Sequence, residues 1–122
     1  MDGFYGRILF VDLTSRSFRV EAPDNEVLRG ALGGKGLASN LLLSLNPPQV
    51  DPLSPENNLI FATGPVCGSL IWGSSRYGVF TKSPQTGFYS ESYAGGRTPE
   101  ALDAAGYDAV VIRGKSKTPR YW

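Results

Sequence analysis

Apolar and polar residues alternate along Arg7–Leu13 (RILFVDL), and the apolar ones are branched or aromatic, which predicts a β-strand. TSRS then makes a turn, and Ser17–Ala22 (SFRVEA) puts Phe18 and Val20 on one face, completing a hairpin. Asn25–Gly34 reads as a short helix with Glu26 in its first turn, where the helix dipole favours an acid. In Lys35–Leu45 the apolar residues Leu37, Ala38, Leu41, Leu42 and Leu45 fall on one helical face, and Pro47 and Pro48 end the helix. Asp51–Asn57 is a loop. Asn58–Gly64 (NLIFATG) is a continuous apolar run and predicts a strand buried on both faces.

Gly64–Ser75 is a long glycine-rich loop. Two strands follow, centred on Tyr77–Lys82 and Gly87–Ser92 and joined by SPQT; Tyr93–Arg97 (YAGGR) is then a loop. Thr98–Gly106 predicts a short helix, with Thr98 as cap, Pro99 at the first helical position and Gly106 at the end. Tyr107–Gly114 is another buried strand, and Lys117–Trp122 begins one more. Strands dominate over two or three short helices, so the class is α+β. A strand breaking off at Trp122 needs a partner, which predicts that the chain is the first part of something longer.

Composition narrows the function. At 122 residues the chain suits one domain with a modest core. Twelve basic and eleven acidic residues leave a net charge of +1, without the basic stripe of a nucleic-acid binder. No apolar run approaches the ~20 residues that span a bilayer, and the acidic, strand-like N-terminus is no signal peptide. The single cysteine, Cys67, excludes an internal disulfide and fits a reducing cytoplasm. There is no histidine, so histidine bases, triads and histidine metal ligands are excluded within this chain.

The remaining chemistry lies in glycines and arginines. Gly33–Gly36 (GGKG) lacks the spacing of a phosphate loop and reads more simply as a break between two helices. Ala94–Gly96 (AGG) lets backbone approach a ligand and aim N–H groups at an anion, but a plain strand-to-helix turn has the same residues. Arg76 opens a strand beside a small-residue loop, where its planar fork suits a phosphate; a solvated surface arginine looks the same. Arg97 carries that ambiguity, and Lys82 reads as a plain surface lysine. Cys67 reads as a small buried residue, and Tyr77, Phe80, Phe88 and Tyr89 as sheet faces.

The stretches GRILFVDLT, LGGKGLASNLL, DPLSPENNLIFATGPVCGS, SSRYGVFTKSPQTGF, AGG and AGYDAVVIRGKSKTP occur in this order. Together they resemble the N-terminal domain of the tungsten-containing aldehyde ferredoxin oxidoreductase family over nearly the whole chain. The resemblance implies that residues 1–122 are a pterin-cofactor-binding domain of a longer protein. It implies a base of two mostly antiparallel β-sheets under a flat pair of pterins. The bis-pterin is tungstopterin or molybdopterin, and magnesium links its phosphates. A 4Fe-4S cluster held by later domains passes electrons to ferredoxin.

Carried onto this sequence, Arg76 matches the arginine at the pterin phosphates. Tyr93, Ala94, Gly95 and Gly96 match the turn that offers a carbonyl, that of Tyr93, to magnesium and N–H groups to the pterin. The sequence departs where the family often has Asn-Ser-Gly-Gly and then an aromatic-Gly pair; here Arg97, Thr98 and Pro99 follow the glycines. The cluster cysteines and the proton-transferring acid and histidine belong to later domains, so the chain alone is expected to be inactive. Its exposed apolar face should drive self-association, a homodimer in the simplest case. The rival reading is a non-catalytic binding or assembly module on the same fold.

Overall fold

The computed structural model describes residues 2–119. The elements run β1 (Ile8–Asp12), β2 (Ser17–Glu21), α1 (Asn25–Ala31), α2 (Gly34–Leu45), β3 (Leu59–Thr63), β4 (Tyr77–Lys82), β5 (Tyr89–Ala94), α3 (Arg97–Ala104) and β6 (Ala109–Arg113). The α+β class holds, with three helices. The described strands, however, form one mixed sheet in the order β2-β1-β6-β3-β4-β5, not two. Only β1 and β6 pair in parallel; every other pairing is antiparallel. The correction follows from β6, which returns through α3 and inserts between β1 and β3, joining the two hairpins edge to edge.

Local chemistry sets the elements. Asp12 Oδ1 accepts the Thr14 and Ser15 amides at 2.9 and 3.2 Å, closing the β1–β2 turn. The Asp24 carboxylate caps α1 through the Glu26 amide, and Leu32 ends it in the left-handed region at φ 54°. Thus α1 stops at Ala31 instead of running to Gly34. Gly33, at φ 72°, starts α2. An ideal Cβ on Gly36 would lie 2.1 Å from the Ala31 carbonyl oxygen, so this glycine lets the two helices meet at a close corner. The GGKG run is therefore a helix–helix break.

Strand register puts Phe10, Val111, Ile60 and Phe80 in one row and Ile8, Ala109, Ala62 and Gly78 in the next. Leu28, Leu37, Ala38 and Leu42 from α1 and α2 cover these rows, making one buried core. Each large side chain buried there contributes about 1.5–3 kcal/mol. The other face carries Leu9, Val11, Val110, Leu59, Phe61 and Val79, all half-buried, around a buried Ile112, and ends in Phe18 at 77% exposure. So β3 is buried on one face, not both. Its Ile60 and Ala62 are covered, while Leu59 and Phe61 look out from a sheet whose helical layer lies on the opposite side.

Two further boundaries move. Strand β5 runs on to Ala94, so Tyr93 and Ala94 are strand residues and only Gly95–Gly96 form the turn. Helix α3 starts at Arg97 with Gly96 as cap, one residue before the expected Thr98. Lys117–Pro119 form no strand, and the rest of the expected last strand, 120–122, lies outside the described residues. Among the described residues no helix is long and apolar enough to cross a membrane.

Candidate functional site

The β4–β5 register brings the candidate residues together. Tyr77 pairs with Ala94, so Arg76 and Gly95 meet one step beyond the ladder. An ideal Cβ on Gly95 would lie 3.2 Å from the Ser75 carbonyl oxygen, 3.7 Å from Arg76 Cδ and 3.8 Å from Arg76 Nε. The absent side chain therefore lets the arginine stem lie along the turn. The Ser75 hydroxyl donates to the Gly96 carbonyl at 3.0 Å, tying the glycine-rich loop to the same turn. Gly96 itself stands at φ 83°, a conformation that favours glycine, and delivers the chain into α3.

The first turn of α3 has no side-chain cap, so its leading N–H groups have no side-chain acceptor there and carry the positive end of the helix dipole. Arg76 is exposed and forms no ion pair among the described residues. Arg97 sits at the first position of the same helix and is also exposed and unpaired among them. Glu100, in that turn, opposes part of the positive potential. The arrangement can hold an anion with a planar fork and backbone amides.

Tyr93 divides its groups. Its ring packs edge-on against Phe80 at 5.9 Å on the helix side of the sheet, so what it can offer a ligand at the turn is backbone. Ala94 pairs with Tyr77 on the other face. Pro99 is buried under the turn, and its carbonyl oxygen lies 3.5 Å from Cys67 Sγ. Burial, and after it the Asp103 charge, pushes the Cys67 thiol pKa up, so Cys67 is the inert packed residue its sequence setting suggested. The loop before Arg76 is less bare than its glycines imply: Leu70 and Trp72 are 100% and 98% exposed at its tip.

Lys82 stands at the far end of the hairpin, roughly 20 Å away by strand rise, where its ammonium donates to the Val50 carbonyl at 2.6 Å. Beside it an apolar groove of about 990 Å³ opens between the end of α2 and the hairpin, lined by Leu42, Leu43, Pro47, Val50, Phe88 and Tyr89. Sequence reading missed this groove because its walls come from segments far apart in the chain. It also missed Ser75 and the reason for Gly95: a hydroxyl on a distant carbonyl and a space left for a neighbour have no local signature.

The chain matches the family described as aldehyde ferredoxin oxidoreductase, N-terminal domain, over residues 8–122. It is 46% identical over 121 residues to the tungsten-containing aldehyde ferredoxin oxidoreductase of Pyrococcus furiosus, covering 99% of this chain and 20% of that protein. It is 35% identical over 124 residues to the aliphatic sulfonate oxidoreductase, WOR-like subunit, of the same organism, with the same coverage. Among solved structures it resembles a chain of the active site complex BamBC of benzoyl coenzyme A reductase in complex with 1,5 dienoyl-CoA. There the TM-score is 0.91 and the identity 43%, covering 94% of this chain and 18% of that one. The chain thus spans about a fifth of the length of these relatives.

Proposed function

The chain belongs to the aldehyde ferredoxin oxidoreductase N-terminal domain family, and from that premise we propose that it is the cofactor base of a tungsten or molybdenum bis-pterin oxidoreductase. In this reading the complete enzyme turns an aldehyde and water into a carboxylate, three protons and two electrons. The electrons leave for ferredoxin through a 4Fe-4S cluster held by later domains. The observation that carries the reading is the placement of Arg76 against Gly95–Gly96 at the uncapped start of α3.

These residues fit the cofactor's anionic end. The Arg76 fork takes phosphate oxygens, and the amides after Gly95 turn to the same charge. The Tyr93 carbonyl serves magnesium, a hard cation that takes oxygen donors. Among the described residues no group of three or more His, Cys, Asp and Glu could hold a metal ion, and in this reading the cofactor would bring its own metal. When bound, the metal centre supplies the two-electron chemistry; this chain binds and orients it. The open apolar face formed by Leu9, Val110 and Phe61 is, in this reading, where the rest of the longer protein packs.

A second reading rests on the 43% identity and TM-score of 0.91 with the benzoyl coenzyme A reductase chain. The same base then serves reduction of an aromatic coenzyme A thioester. Two assays of the complete enzyme separate the readings: dye-coupled aldehyde oxidation, and dye-coupled oxidation of a dienoyl-CoA.

The base itself is tested by metal and pterin per protein in Arg76→Ala, Arg76→Lys and Arg97→Ala. One charge-assisted pair contributes about 1.5–3 kcal/mol, so Arg76→Ala should weaken cofactor binding by about 10- to 100-fold. Arg76→Lys, which keeps charge but not the fork, recovers part. Full metal in Arg76→Ala with loss in Arg97→Ala moves the site to Arg97; full metal in both refutes the phosphate clamp, and a complete parent protein that holds neither metal nor pterin supports the non-catalytic module.

A further inference from the structure

The lysine of the Gly33–Gly36 run is not idle. Lys35 Nζ lies 3.0 Å from Glu91 Oε1 and 2.7 Å from Oε2. The Tyr89 hydroxyl donates to the same carboxylate at 3.2 Å and lies 3.0 Å from the Ser39 hydroxyl. Lys35 and Ser39 are four apart on one face of α2, and Tyr89 and Glu91 are two apart on one face of β5, so two polar rungs join helix to strand.

Three features give these rungs a purpose. Strand β5 is the edge of the sheet and, among the described residues, pairs only with β4, so no described strand fixes its outer side. Its last residues run directly into Gly95 and Gly96, so a shift of β5 shifts the turn against Arg76. Lys35 occupies the first turn of a helix that has no acid there, where a cation opposes the helix dipole; Glu91 supplies the missing negative charge from the strand. The hydrogen bond from Lys35 holds Glu91 below the usual carboxylate range, and the same bond raises Lys35, so both stay charged at neutral pH.

We propose that Lys35, Ser39, Tyr89 and Glu91 form a latch between α2 and edge strand β5 that sets the Gly95–Gly96 turn against Arg76, making Lys35 and Glu91 positioning residues for the anionic end of the cofactor. The proposal rests on the cofactor-base reading above. It assigns the GGKG lysine a task other than touching phosphate.

The test uses the complete protein with Lys35→Met, Glu91→Gln and the charge-swapped pair Lys35→Glu with Glu91→Lys. Hydrogen exchange on metal-free protein reads the amides of Gly95, Gly96 and Arg97, with β3 and β6 as internal references. Metal per protein reads the consequence. An exposed pair of this kind supports a change of about two- to fivefold, so each single variant should exchange faster at the turn and hold less metal by that factor. The swapped pair should recover both. Unchanged exchange at the turn in both single variants, or a swapped pair no better than the singles, overturns the latch. Faster exchange with full metal overturns its role toward the cofactor. If Arg76→Ala and Arg97→Ala also keep full metal, the phosphate clamp on which the latch's role rests has failed, and exchange alone decides the latch.

Discussion

Gly95 and Gly96 are neighbours with different reasons to be glycine, and replacing each by alanine separates the site from the fold. At Gly95 the backbone is one that any residue adopts, and the constraint is space: a Cβ would lie 3.2 Å from the Ser75 carbonyl oxygen and in ordinary contact with Arg76. At Gly96 nothing lies within 4 Å, and the constraint is φ 83°. Gly95→Ala gains about 0.4–1 kcal/mol by restricting the unfolded chain. It loses about as much in moving Ser75 by a few tenths of an ångström, at the low end of overpacking. The net is within about 1 kcal/mol of zero. Gly96→Ala costs about 1–2 kcal/mol in the left-handed region.

At about 5 °C per kcal/mol for a domain of this size, Gly95→Ala should melt within about 5 °C of the parent chain and Gly96→Ala about 5–10 °C lower. Cofactor content in the complete enzyme should rank the other way. The added methyl at Gly95 fills the space between the turn and Arg76, and losing one charge-assisted contact there lowers affinity about tenfold. Melting by circular dichroism and metal per protein supply both axes. If Gly95→Ala keeps full metal, or melts below Gly96→Ala, the space beside Arg76 is not reserved for a ligand and the reasoning fails.

Two further outcomes test the fold. Gly36→Ala would put a methyl 2.1 Å from the Ala31 carbonyl oxygen and 2.9 Å from its carbon, both backbone, and should destabilise by about 3 kcal/mol or more, read as the midpoint of denaturant unfolding; a loss under about 1 kcal/mol would show that the α1–α2 corner is loose. The Ser15 amide, and after it the Thr14 amide and Arg113, hold the Asp12 carboxyl below its ordinary range. Its contribution is therefore present above the unfolded carboxylate pKa and lost as pH falls through the lower folded value, so Asp12→Asn, which keeps the turn's acceptor but not the charge, should lower the neutral plateau, flatten the acid limb of stability against pH and converge with the parent chain at low pH.

What the sequence made legible is what local chemistry decides. The β1–β2 hairpin, the apolar face of α2 and the helix stop before Pro47 follow from periodicity and proline. The motif blocks led to the family before any geometry was known. Boundaries set by pairing were less legible. Tyr93 and Ala94 look like loop residues beside two glycines, yet the ladder with Tyr77 and Gly78 carries β5 to Ala94. Lys35 looked like a phosphate lysine or nothing, because its partner lies 56 residues away on a strand whose position only the fold fixes.

The instructive miss is β3. A continuous apolar run such as LIFAT is what a strand covered on both faces requires. Periodicity reports that requirement faithfully, but it cannot say what meets it. Helices α1 and α2 meet it for Ile60 and Ala62, and nothing in the helical layer meets it for Phe61. The neighbours Leu9, Val110 and Val79 extend the same apolar row across four strands, so the demand belongs to the whole face and not to one residue. A face of that kind has to be covered by something, and a cover over this sheet would also restrict how far Arg76 and the Gly95–Gly96 turn can move at its rim. The open face and the candidate site therefore belong to one problem: how the sheet is held still where the ligand is held.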